Sequence, residues 1–227
     1  MCGRFTQSQS GESVAQAFQL KAVPNLQPRY NIAPTQPVSA ILATPDSPEP
    51  RYQLLRWGLI PSWAKDSSIG SRLINARSET VAEKPSFRAA FKRRRCLIVA
   101  DGFYEWKSDP NSKTKQPYYF RLKEHAPFAF AGLWEQWTDP QSGSELDTCT
   151  ILTTAANAVL EPVHDRMPVI LEPDQYVAWL DPDFYDPKDL QAMLDPYRAE
   201  GMESYPVSKA VNSPRNDAAE CLEPVEV

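Results

Sequence analysis

Cys2 stands directly behind Met1, so removal of the methionine leaves a thiol and a free α-amine on one residue. Such a 1,2-aminothiol captures an aldehyde at two points. The amine condenses to an imine and the sulfur closes a five-membered thiazolidine, with no metal or organic cofactor. Reference pKa values of about 8 for the amine and about 8.5 for the thiol leave part of each nucleophile unprotonated near neutrality. This pair lacks a proton donor for the dehydration. A structural reading competes with the chemical one, because free cysteines are commonly small buried hydrophobes.

Three further segments hold polar residues in apolar or turn-rich surroundings, and each offers one group. Glu105 lies between Tyr104 and Trp106; a carboxyl flanked by aromatics has its charged form desolvated and its pKa raised, which suits a proton donor at neutral pH. His164 is one of two histidines and is followed by Asp165 and Arg166, an arrangement suited to a second acid/base. Asn75 donates and accepts hydrogen bonds without titrating, so it can hold an adduct. Against these stand a carboxylate on an exposed strand face, a structural histidine and ordinary turn chemistry. Arg4, Arg77 and Arg166 each lie two residues beyond a candidate. In extended chain that spacing puts both side chains on one face, so three guanidiniums would meet phosphates around the nucleophile, unless they are spent in surface salt bridges. Trp63, in a polar loop, is a platform for an unpaired base, whereas Trp57 reads as core. The basic run 92–95 is expected to complement a helix C-terminus.

The elements that must position these groups are short. The chain has 227 residues, 42% of them hydrophobic, enough for one well-buried core, and the expectation is a single domain over 1–227. The 22 prolines are about twice the usual share and are scattered, which implies short strands and many ordered loops. Strand-like runs fall at 36–43, 51–57, 95–101, 117–122, 127–134 and 146–154, with 109–115 and 138–144 as hairpin connections. Helices are expected around Val14, Ala17 and Phe18, at 87–94 with Ser86 as cap, and after Pro173 and Pro187. This is an α+β pattern.

Composition narrows the function classes. There is no apolar run long enough for a membrane helix and no signal-peptide core at the start, so a soluble, cytoplasmic protein is expected, by default a monomer. The four cysteines form no CxxC pair, which suggests free thiols and no metal site. The net charge of −5 is uneven: residues 172–227 hold 13 acidic and 4 basic residues, leaving 1–171 at +4. The larger part can therefore present a basic groove while the acidic end faces away.

Taken in order, MCGRF (1–5), PRYNIAPTQ (28–36), RWGLIPSWAKD (56–66), INARSET (74–80), RCLIVADGFYEW (95–106) and HDRMPVIL (164–171) resemble the SOS response-associated peptidase family, and SKAVNSP (208–214) extends the likeness. The resemblance implies a single α+β domain on a curved, barrel-like, mostly antiparallel sheet flanked by short helices, with a positive groove for single-stranded DNA and association with the nucleoid when bound. It implies that Cys2, once Met1 is removed by an autopeptidase activity, crosslinks to the ring-opened aldehyde of an abasic site without a cofactor. Asn75 would stabilise the adduct, Glu105 act as general acid/base, and His164 assist proton transfer and reversal. Arg4, Arg77 and Arg166 would contact phosphates, with Trp63 near the strand path. Leu160 and Val163 replace the Met and Ile expected ahead of the histidine. Two alternatives stay open: a cysteine peptidase using Cys2, His164 and Asn75, and a non-catalytic single-strand-binding module.

Overall fold

The computed structural model describes residues 2–44, 46–108 and 114–226; Met1 and most of the 109–115 connection lie outside them. In chain order the elements are β1 (Phe5–Gln7), α1 (Gly11–Ala17), β2 (Arg29–Ile32), β3 (Pro37–Thr44), β4 (Ser47–Trp57), β5 (Asn75–Arg77), α2 (Arg88–Arg93), β6 (Arg95–Ala100), β7 (Gly102–Lys107), β8 (Gln116–Leu122), β9 (Phe128–Thr138), β10 (Glu145–Ala155), β11 (Arg166–Pro168), β12 (Ile170–Leu171), α3 (Tyr176–Leu180), α4 (Pro187–Ala192) and β13 (Met202–Pro206). All six runs read as strands are strands.

Five of them close into a ring. β3 pairs antiparallel with β4 and β6, β9 with β6 and β10, and a short parallel seam, Thr148 opposite Arg56 and Cys149 opposite Trp57, joins β10 to β4. Closure removes the sheet edges that would otherwise invite pairing with another chain. A second, antiparallel sheet runs β13-β8-β7-β1-β2. The expected barrel-like, mostly antiparallel α+β architecture is what the pairings build.

Side-chain alternation divides the ring strands between two apolar clusters. From β6, Cys96, Ile98 and Ala100 share one cluster with Phe5, Phe103 and Phe120 of the second sheet. Leu97 and Val99 face the other, with Val14 and Phe18 from the α1 region, Phe91 of α2, Trp179 of α3 and Leu190 of α4. The helices thus cover one face of the ring and the second sheet covers the other. With both faces buried, β6 reads as an unbroken apolar run after Arg95 rather than an alternating one.

Helix starts follow the sequence in part. Pro187 occupies the first turn of α4, capped by Asp186, and Pro173 opens a 3-10 turn leading into α3. Ser86 does not cap α2: Phe87 holds that position without a side-chain cap, and its ring is spent in the helix-side core. The basic run splits. Lys92 and Arg93 lie in the last turn of α2, where they complement the helix dipole. Arg95 is buried and donates to the carbonyls of Phe91, Lys92, Trp179, Asp181 and Phe184, tying α2 to α3. Burial pulls its pKa down to about 10, so it remains charged at neutral pH. Leu160 is buried in the first cluster and Val163 packs against it, so both departures from the family pattern fit the core.

Candidate active site

The site lies where the N-terminal strand of the second sheet meets the seam of the ring. β1 pairs with β7, Phe5 opposite Phe103, and the Tyr104 N–H donates to the Arg4 carbonyl at 3.1 Å. This pairing brings the Cys2 end of the chain alongside Glu105. Glu105 lies within β7. The bend at Asp101 and Gly102 that starts β7 is fixed by non-local contacts: the Asp101 carboxylate accepts from Thr6 Oγ1 and from the Ser8 and Gln9 amides. A Cβ on Gly102 would meet the Tyr119 hydroxyl at 2.0 Å, so only glycine fits there.

Asn75 comes from the opposite side. β5 runs parallel to β10 with Asn75 opposite Ile151. The Ile74 carbonyl accepts from the Ile151 N–H at 3.1 Å and from Trp57 Nε1 at 2.9 Å. The loop between β4 and β5 folds back over Gly58, whose φ of 129° and close approach to Gly70 exclude a side chain. Held in this way, Asn75 Nδ2 donates to the Cys2 carbonyl at 2.8 Å. Its Oδ1 is buried and finds no partner among the described residues, leaving an acceptor inside the site for a donor that arrives from outside.

Cys2 is wholly buried and Glu105 is 3% exposed. Burial, reinforced by Glu105, pushes the Cys2 thiol well above its ordinary value. Burial likewise raises the Glu105 carboxyl, with His164 acting against it, so the acid holds its proton further toward neutrality than a solvated glutamate does. His164 Nδ1 accepts the Arg166 backbone N–H at 3.0 Å, which places the proton of the neutral ring on Nε2. The exposed Asp165 carboxylate is also 3.0 Å from Nδ1. The structure therefore brings Cys2, Asn75 and Glu105 together, with His164 close enough to act on Glu105 electrostatically.

The arginines are placed less uniformly. Arg77 is exposed. Arg166 grips Glu79 with both arms and donates to the Thr153 carbonyl at 2.6 Å. Arg4 turns away from Cys2: its Nη1 donates to Asn31 Oδ1 and the Val211 carbonyl, both at 2.7 Å, and its guanidinium lies over Trp106 at 5.8 Å. Of the three arginines expected to meet phosphates, Arg77 is thus exposed, while Arg4 and Arg166 are held by internal acceptors. Trp63 is 60% exposed. Trp57 is core.

Residues not singled out by the sequence reading support this arrangement. Asn31 is fully buried and donates to the Val211, Ser213 and Asn216 carbonyls. Asp217 accepts from the Tyr30 and Asn31 amides and from Arg29. Together they strap residues 211–217 across β2 and Arg4. The polar Asn31 beside Ile32 in a short strand was a readable signal; Asp217 and Glu79 carried none.

The sequence model of a known family, SOS response associated peptidase (SRAP), matches residues 1–214. The chain belongs to the SRAP family. It is 48% identical over 227 residues to the abasic site processing protein YoqW of Bacillus subtilis, covering 98% of this chain and 99% of that one. It is 36% identical over 224 residues to the abasic site processing protein HMCES of Xenopus tropicalis, covering 86% of this chain and 66% of that one. A crystal structure of a Bacteroides thetaiotaomicron protein, 25% identical, superimposes with a TM-score of 0.87 over 99% of this chain and all of that one. Among the described residues no helix is long and apolar enough to cross a membrane.

Proposed function

We propose that this SRAP protein processes abasic sites in single-stranded DNA by crosslinking to them through Cys2 after Met1 is removed. The observation that carries this reading is the buried triad: a Cys2 whose carbonyl is pinned by Asn75, beside a buried Glu105 whose proton is retained toward neutrality. The names and the extent of the relatives support the substrate class.

The α-amine of Cys2 adds to the C1′ aldehyde of the ring-opened sugar and gives a carbinolamine. Glu105 protonates its hydroxyl, which leaves as water, and an imine results. The Cys2 sulfur then adds to C1′ while its proton passes through the Glu105 carboxylate to the nitrogen, closing the thiazolidine. One water is lost overall. Amine-first order follows from electrostatics, because a thiol pushed up by burial is a poor thiolate while it stays in the pocket. The buried Asn75 acceptor would take a hydrogen bond from a sugar hydroxyl or the ring N–H, and His164 Nε2 would supply a second donor for proton traffic. Autopeptidase removal of Met1 is the step that exposes the amine. Arg77 and the exposed Trp63 supply the first contacts to the strand's phosphates and bases.

Intact-mass spectrometry with an abasic single-stranded oligonucleotide tests this. The expected product lacks Met1 and gains the oligonucleotide mass less one water, survives denaturation and is absent in Cys2→Ala. Retention of Met1 together with strand binding but no adduct would overturn the reading in favour of a binding module. A cysteine-dependent peptidase needs the thiol but not the free amine, and an uncleavable Met1 variant separates the two.

A further inference from the structure

Arg166 is 14% exposed and Glu79 51% exposed. The guanidinium directs Nη1 to Glu79 Oε1 and Nη2 to Oε2, the latter at 2.9 Å, and a second Nη2 hydrogen goes to the Thr153 carbonyl at 2.6 Å. Its Nε is buried and meets no acceptor among the described residues. The edge of the fork that a phosphate would take side by side is therefore the edge that Glu79 holds, and the inner edge is closed to solvent. Glu79 also lies within the field of Arg77, so one carboxylate covers two cations on this rim.

We propose that Glu79 is an internal stand-in for a DNA phosphate, displaced from Arg166 when the backbone of the strand is seated. This rests on the reading that Arg166 meets DNA. It makes Glu79 a specificity residue. A loosely bound or wrongly threaded strand does not recover the two hydrogen bonds that Glu79 gives up, whereas a strand seated at the Cys2 pocket replaces them one for one. Because the Arg166 amide fixes His164, the same exchange links phosphate occupancy to the histidine beside Glu105.

The test is the binding of an undamaged single-stranded oligothymidylate, followed by fluorescence anisotropy across a salt series, to the wild-type protein, Glu79→Gln, Arg166→Gln and the double variant. In the wild type the freed carboxylate takes back a cation as the phosphate releases one, so this exchange adds little to the salt slope. Glu79→Gln is expected to bind about fivefold more tightly at low salt and to steepen the slope by about 0.7, the increment for one phosphate contact on a single strand. Both changes should vanish in the Arg166→Gln background. An equal gain in that background would mean simple removal of a negative charge and would overturn the proposal, as would weaker binding by Glu79→Gln. The underlying reading fails separately if Arg166→Gln binds as the wild type does and the double variant as Glu79→Gln does. Glu79→Ser, scored with a thermal melt, guards against a folding defect peculiar to the glutamine.

Discussion

The pocket at Cys2 and the arginine rim around it handle polarity in opposite ways. In the pocket, Cys2 and Glu105 are stripped of water and Asn75 keeps a buried acceptor open. On the rim, Arg4 and Arg166 already hold internal acceptors, one the 211–217 strap and one Glu79. The pocket must lower a barrier once a substrate arrives, which pre-set desolvated groups do well. In the function we propose the rim would let strands come and go, and cations held by a carboxylate or by carbonyls suit that task.

Breaking the pocket should produce the largest effects. Cys2→Ala is expected to abolish the denaturation-resistant adduct while leaving some amine-dependent strand scission, read on a denaturing gel; a stable thiazolidine-type adduct from that variant would sink the mechanism. Glu105→Gln should slow adduct formation by about 10²–10⁴-fold, the usual worth of a positioned acid. The wild-type rate should fall as pH rises through the raised Glu105 pKa, and the variant should lose that limb of the profile. Stability gives the same residue a second signature. A carboxyl raised on folding contributes stability that is fully present below its unfolded pKa and is lost as pH rises through the folded value. Glu105→Gln should therefore melt higher than wild type at pH above the raised Glu105 value, by about 2–4 °C if the relief is about 1 kcal/mol, and no differently in acid. Asn75→Ala, which removes the bond to the Cys2 carbonyl, should cost about 10–100-fold in rate with little loss of strand affinity.

The rim variants sharpen the contrast from the other side. Arg4→Ala should destabilise the fold by about 1–3 kcal/mol, because it takes the Arg4 donor from the buried Asn31 Oδ1 and leaves the Val211 carbonyl with Asn31 alone. Arg77→Ala should leave the melt within about 0.5 kcal/mol of wild type and flatten the salt slope of strand binding by about 0.7. Equal behaviour of the two would erase the distinction between a structural and a DNA-facing arginine.

Legibility in the sequence tracks the range of the interactions. The six longer strands and the two proline-led helices showed in local pattern, and the pocket candidates showed because Cys2 and Glu105 sit in unusual company. β1, β5 and β7 did not: β1 and β5 are three residues long and defined by pairing, and β7 was missed although the turn-type pair Asp101–Gly102 separates the apolar run of β6 from Phe103. Ser86 looked like a cap because its type is right, but tertiary packing of Phe87 set the helix start. For the arginines, spacing of two read correctly along β5, where Asn75 and Arg77 flank the buried Ala76. It misled at Arg4, whose carbonyl partners lie 207 and 208 positions away.

That last separation bears on how the protein comes into being. Cys2 and Arg4 leave the ribosome before anything that holds them. Glu105 follows about a hundred residues later, and Val211 and Asn212 come near the end of synthesis. Contacts this distant in sequence form late and slowly. During translation the Cys2 thiol is thus a plain solvated cysteine with no acid beside it, and the aldehyde trap we propose would be armed only when almost the whole chain is in place.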